Sequence, residues 1–89
     1  MKEKLLFSII IPLYNKEKYI SRAIYSALNQ SFKGFEIIVV NDGSTDNSLS
    51  VIKKIKDSKI IIINQKNLGA SNARNTGIKK AKAPYIAFL

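Results

Sequence analysis

Three short polar stretches carry the side chains that could do chemistry. They are Pro12-Leu13-Tyr14-Asn15, Asn41-Asp42-Gly43-Ser44-Thr45-Asp46, and the run from Asn67 through Gly69 to Arg74 and Asn75. Each follows an apolar run. A carboxylate delivered to the end of a buried strand, as at Asp42, can accept hydrogen bonds from a ring N–H or a ribose hydroxyl. The same residue can equally form a turn ahead of a helix. Tyr14 offers a flat face to a heterocycle or a core side chain. Asn15 presents donor and acceptor together, or caps the helix that follows. Arg74 would hold a fixed cation toward phosphate or a base carbonyl, or make a surface ion pair. Gly69 permits close backbone approach or a positive φ. One acid, one arginine and several amides make a set able to hold a nucleotide. The chain has no histidine and no cysteine, which excludes an imidazole base and a thiolate metal site and leaves carboxylates as metal ligands. Neither G-x-G-x-x-G nor G-x-x-x-x-G-K-[ST] follows any strand, so a dinucleotide fingerprint and a P-loop are not supported.

The elements that must position these loops are legible from periodicity. Phe7–Ile11 is an isoleucine-rich run suited to a strand covered on both faces, ending at Pro12, which cannot donate to a ladder. Tyr19, Ile20, Ala23, Ile24, Ala27 and Leu28 recur at helical spacing. Phe35–Val40 is a second strand, followed by a turn at Asp42-Gly43-Ser44. Leu49, Ile52 and Ile55 mark a second helix, with Ser44, Thr45 or Asp46 available to cap it. Lys59–Ile63 is a third strand. Ala70, Ala73, Gly77, Ile78 and Ala81 form a small-residue helix suited to close packing on a sheet, with Gly77 a local weakness of up to ~1 kcal/mol. Tyr85–Leu89 is a fourth strand. The order is βαβαβαβ, an α/β fold with an open parallel sheet. In such sheets ligands bind outside the carboxyl ends of the strands, where strand order reverses.

The 89 residues allow one domain, and 46% hydrophobic content is too high for a disordered chain. A net charge of +9 favours anionic partners. Much of the excess sits in Lys53-Lys54-Lys56-Lys59 and Lys79-Lys80-Lys82, expected at the outer ends of helices, where cations complement the helix dipole. The charge alone would also suit a non-catalytic basic module for nucleic acid or an acidic membrane surface. The aromatics Phe7, Tyr14, Tyr19, Tyr25, Phe32, Phe35, Tyr85 and Phe88 fall mostly at expected core positions, however, and are not interleaved with lysines, so no stacking platform for single strands and no nucleic-acid partner is expected. Leu5–Tyr14 is interrupted by Pro12 and lacks a small-residue cleavage site, so it is a buried strand rather than a leader, and no segment is long enough to span a bilayer. The expected location is cytoplasmic.

"FSIIIPLYNKEKYISRAIYSALNQSFKGFEIIVVNDGSTDNS" with "NQKNLGASNARNTGIKKAKAPYIAFL" closely resembles the amino-terminal nucleotide-binding half of family 2 glycosyltransferases of the GT-A fold. The resemblance runs from Phe7 to Leu89. It rests on I-I-P-x-Y-N, the L-N-Q-S-F helix exit, V-x-D-G-S-T-D and N-x-G-x-x-x-A-R-N-x-G in order. It implies a Rossmann-like half-domain over residues 1–89 of an inverting, metal-dependent enzyme. The family moves a sugar from a nucleotide-sugar, most often UDP-linked, to a hydroxyl of a glycan, lipid or other acceptor, as in polysaccharide biosynthesis. By the resemblance, Pro12, Tyr14 and Asn15 line the nucleoside pocket. Asp42 accepts from uracil or ribose, with Ser44 beside it, and Asn67, Gly69, Arg74 and Asn75 complete the base and diphosphate side. Asn41 stands where the family commonly has an aspartate, while the next acid is kept at Asp42.

The family's fourth strand leads into a D-x-D motif whose carboxylates hold Mg²⁺ or Mn²⁺ against the donor diphosphate. The chain stops before that point, so those ligands are missing from it, as are the acceptor part and the catalytic base. The expectation is a truncated fragment, without a catalytic residue of its own and without turnover alone. Its fourth strand is expected to be an under-covered edge open to pairing between chains. Self-association, and attachment at the inner face of a membrane, stay open.

Overall fold

Strands that are apolar on both faces need helices on both sides, and the chain supplies them in alternation. The computed structural model describes residues 4–89. Its elements are β1 (Phe7–Leu13), α1 (Ile20–Leu28), β2 (Phe35–Asp42), α2 (Ser48–Lys53), β3 (Ile60–Gln65), α3 (Ala70–Lys80) and β4 (Tyr85–Phe88). The four strands form one sheet in the order β3-β2-β1-β4, every pair parallel. All eight residues of β2 are buried.

Alternation along the strands divides the core in two. Ile9, Ile11 and Leu13 of β1 join Ile37 and Val39 of β2 under Ile20, Ile24 and Ala27 of α1 and Ile52 of α2. On the other face Ile10, Ile38 and Val40 pack with Ala73 of α3. Gly77 lies on that second face, where an added Cβ would stand 2.5 Å from Ile10 Cγ2. The weakness expected at Gly77 is therefore a requirement of close helix–sheet approach. At the amino end of the strands the paired residues Ser8 and Glu36 are both buried. Ser8 Oγ donates to Glu36 Oε2 at 2.5 Å, the Lys82 N–H donates to the same oxygen at 2.8 Å, and the Ala83 N–H donates to Ser8 Oγ at 3.1 Å. This pin fixes the connection from α3 into β4.

Three expectations need correction. β1 does not end at Pro12 but continues to Leu13. The Ile10 carbonyl accepts from the Leu89 N–H, and residues two apart point to the same side, so the missing Pro12 donor faces the flank where pairing with β4 has already stopped. β2 runs through Asn41 and Asp42, and β3 through Asn64 and Gln65, because these polar residues pair across the sheet as Asn41–Asn64 and Asp42–Gln65. The aromatics are mostly not core. Phe35 is buried, whereas Phe7, Tyr14, Tyr19, Tyr25, Phe32, Tyr85 and Phe88 are exposed. Phe7, at the start of β1, instead contacts both Phe32 and Tyr85, with ring centroids 6.0 and 5.8 Å away. β4 carries exposed Tyr85, Ile86 and Phe88. Of the expected lysines, Lys53 stands in the last turn of α2 and Lys79 and Lys80 in that of α3, whereas Lys56, Lys59 and Lys82 lie beyond the helices.

Candidate functional site

Parallel pairing carries the carboxyl ends of all four strands to one rim, and a cavity of about 470 Å³ opens there. It is lined from β1 and its following loop by Pro12, Leu13, Tyr14 and Lys16, and from β2 by Asp42. The β3–α3 loop adds Asn67 and Gly69, the start of α3 adds Ala70, Ala73 and Arg74, and the end of β4 adds Leu89. Six of the nine residues singled out in the sequence thus share one wall: Pro12, Tyr14, Asp42, Asn67, Gly69 and Arg74. Asn15, Ser44 and Asn75 are not on it. Lys16 lines the cavity without having been singled out. No motif marks it, and only the turn that brings the β1–α1 loop back across the rim puts it there.

Asp42 sits at the centre of this arrangement and is 4% exposed. Its Oδ1 accepts from Gln65 Nε2 at 2.9 Å and from the Leu68 N–H at 2.8 Å, and its Oδ2 accepts from the Gly69 N–H at 3.0 Å. The carboxylate therefore holds the β3–α3 loop in place. The Gln65 amide above all holds its carboxyl below the usual range; burial opposes this, and the Leu68 and Gly69 N–H groups reinforce it. Gln65 is oriented in turn by Thr76, whose hydroxyl donates to Gln65 Oε1 at 2.7 Å. The local turn expected of Asp42 is made by its neighbour, since the Ser44 N–H donates to Asn41 Oδ1 at 3.4 Å. An ionised carboxylate has about four acceptor positions. Three protein donors leave one on Oδ2.

Gly69 has φ +97, and a Cβ added there would meet nothing within 4 Å, so it serves the backbone turn rather than a close approach. Gly43, with φ +71, does both, because a Cβ there would stand 2.7 Å from the Asn67 nitrogen. Gly69 is also the N-cap of α3 and brings no side chain to cap it. The start of that helix thus faces the cavity with unmet N–H groups. Among the described residues the side chains of Lys16 and Arg74 have no hydrogen-bond or ion-pair partner, so two cations face the cavity uncompensated.

Asn15 and Ser44 bond to each other behind this wall. The Asn15 N–H donates to Ser44 Oγ at 3.0 Å, and Asn15 Oδ1 accepts from the Thr45 N–H at 2.7 Å. The N-cap of α2 is Asn47, which makes no side-chain cap bond, and of the three expected candidates only Asp46 meets the helix start: its Oδ1 accepts from the Ser48 N–H at 2.9 Å. Asn75 lies exposed on α3. Among the described residues no three His, Cys, Asp or Glu side chains gather, and the one carboxylate on the cavity wall, Asp42, has a single acceptor position left. The residues present therefore do not fit a divalent-metal site.

This geometry is shared with known proteins. The sequence profile of Glycosyl transferase family 2 matches residues 8–89. The chain belongs to that family. It is 51% identical over 85 residues to the Escherichia coli UDP-Glc:alpha-D-GlcNAc-diphosphoundecaprenol beta-1,3-glucosyltransferase WfaP, covering 94% of this chain and 34% of that one. The crystal structure of S. aureus TarS 1-349 in complex with UDP-GlcNAc superposes with a TM-score of 0.88 at 34% identity, over 94% of this chain and 26% of that 1-349 chain. The Pyrobaculum calidifontis mannosyltransferase PcManGT, solved with GDP-Man and Mn²⁺, shares the fold with a TM-score of 0.81 at 22% identity, over 90% of this chain and 25% of its own. The sheet and helices are those of the GT-A glycosyltransferase fold. This glycosyltransferase chain spans between 12% and 35% of the length of the curated relatives it matches. A non-catalytic basic module gains no support from these matches. Among the described residues no helix is long and apolar enough to cross a membrane.

Proposed function

We propose that the cavity binds the nucleoside diphosphate of a UDP-sugar, and that the chain supplies the donor pocket of an enzyme transferring that sugar to a hydroxyl of a glycan, lipid or other acceptor. The observation that carries this is the convergence of Tyr14 from the β1–α1 loop, Asp42 from the end of β2 and Arg74 from the start of α3 on one cavity. Tyr14, 43% exposed, gives the base a face to stack on. The open position on Asp42 Oδ2 accepts from the uracil ring N–H or a ribose hydroxyl. Arg74, Lys16 and the uncapped start of α3 favour the diphosphate. Pro12, Asn67 and Gly69 close the wall, and Asn75 guards its outer side. Asn15 and Ser44 act behind it.

In the reaction these residues bind and orient. They fix the base, hold the diphosphate and leave the sugar at the rim by Leu89. The relatives support UDP as donor nucleotide, since TarS was solved with UDP-GlcNAc and WfaP is named for UDP-Glc. WfaP is also named for a diphosphoundecaprenol-linked acceptor. That acceptor class, together with a net charge of +9, supports work at the inner face of a membrane. Calorimetric titration with UDP, GDP, CDP and ADP at one ionic strength tests the pocket. UDP should bind tightest, and Asp42→Asn should abolish the preference. Equal binding of all four, set by salt alone, would refute it.

A further inference from the structure

The side chain of Asn15 is committed away from the cavity, yet it adjoins the cavity's aromatic wall. Its φ is +50, in the left-handed region that asparagine tolerates better than most residues. That turn aims its amide at the β2–α2 loop. Oδ1 accepts from the N–H groups of Thr45 at 2.7 Å and Asp46 at 3.2 Å, while Nδ2 reaches Thr45 Oγ1 at 3.2 Å. The contact continues on the next two residues. The Lys16 N–H donates to Ser48 Oγ at 3.0 Å and the Glu17 N–H to Asp46 Oδ2 at 3.2 Å. Tyr14, one residue earlier, makes no side-chain hydrogen bond or ring contact among the described residues. With no polar or ring contact to hold it, and 43% exposed, the ring takes its direction from the backbone that Asn15 fixes.

We propose that Asn15 is a positioning residue: by splicing the β1–α1 loop to the β2–α2 loop it holds the Tyr14 ring as the platform for the nucleobase. This rests on the nucleotide reading of the cavity. It assigns the Y-N pair two different tasks, the tyrosine to the ligand and the asparagine to the tyrosine. One aromatic–base stack contributes roughly 1–3 kcal/mol. Loss of the platform should therefore weaken UDP by roughly 5- to 150-fold, at about 1.4 kcal/mol per factor of ten.

The test is proton NMR of UDP with the 89-residue chain, joined to calorimetry and a circular-dichroism check of folding. A ring stacked on uracil shifts H5 and H6 upfield. The unmodified chain should show that shift at saturation. Tyr14→Ala and Asn15→Ala should both lose it while UDP still binds, about tenfold more weakly. Asn15→Asp, which keeps the acceptor for Thr45 and Asp46, should restore it. Should Asn15→Ala not fold, Ser44→Ala, which removes the acceptor of the Asn15 N–H, carries the same prediction in smaller size. An Asn15→Ala or, in its place, Ser44→Ala chain that keeps the full upfield shift overturns the proposal and leaves the pocket reading intact. Failure of the unmodified chain to bind UDP overturns both.

Discussion

Replacing Asp42 with asparagine tests the site and the fold together. The carboxylate meets three donors, from Gln65, Leu68 and Gly69. An asparagine of the same shape has one acceptor oxygen. Placed on the Gln65 and Leu68 side, it turns its own NH₂ against the Gly69 N–H; flipped, it abandons two donors instead of one. In either orientation at least one buried donor is left without an acceptor, a loss of about 1–3 kcal/mol. For a domain of this size 1 kcal/mol moves the melting temperature by ~4–8 °C, so a fall of roughly 8–16 °C is expected for a loss of about 2 kcal/mol. Acid dependence should change with it. The folded carboxyl titrates below its unfolded value of about 3.9. Its stabilisation is thus complete above about pH 4 and fades as pH falls through the lower folded value. Asp42→Asn should flatten that segment of the stability–pH curve. Removing the charged acceptor should also weaken UDP by roughly 10–100-fold. Thermal melts from pH 2 to 7 and UDP titration at pH 7 read both effects. A variant as stable as the parent that binds UDP equally well would refute the role given to this residue.

Other substitutions probe separate parts of the account. Gly77→Ala places a Cβ 2.5 Å from Ile10 Cγ2, so overpacking of about 1–3 kcal/mol should outweigh the ~1 kcal/mol gain in helix propensity, and a urea titration should show no stabilisation. Gly43→Ala combines a positive φ with a 2.7 Å clash against the Asn67 nitrogen; it should cost about 1–3 kcal/mol and weaken UDP through the displaced loop, whereas unchanged UDP affinity would detach Asn67 from the site. Glu36→Ala leaves the Lys82 N–H and the Ser8 hydroxyl without their acceptor, far from the cavity, so melting should fall by an amount matching about 1–3 kcal/mol while the preference for UDP over CDP persists. Arg74→Ala and Lys16→Ala should weaken UDP more than uridine and flatten the salt dependence of binding, since each removes a cation from the cavity wall.

Much of this architecture could be read in the sequence because buried parallel strands and amphipathic helices obey different periods. Phe35–Val40 and Ile20–Leu28 announce themselves in that way. The strand ends did not, because hydropathy is blind to cross-strand side-chain pairs. Asn41 and Asp42 look like a turn until Asn64 and Gln65 are seen opposite them. The exposed aromatics were misplaced because size and apolarity say nothing about which strand lies at an edge. Tyr85 is exposed on the edge strand β4, whereas Phe7 opens the interior strand β1 and Phe32 lies in the α1–β2 connection, placements that only the assembled sheet reveals. The site followed from loops after strands, yet the cavity is lined by Lys16, which nothing in the sequence singled out, and not by Asn15. A left-handed φ at Asn15 turns its amide to the neighbouring loop and leaves the next residue to line the cavity, and no composition or spacing encodes that turn.

Amide and side-chain chemical-shift mapping of the labelled chain during a UDP titration bears most directly on the common nucleotide cavity. Resonances of Tyr14, Asp42, Gly69 and Arg74 should move together along one binding curve, while Phe7, Glu36 and Tyr85 at the opposite end of the strands stay still. Shifts spread over the lysine-rich helix ends and absent from those four residues would contradict it.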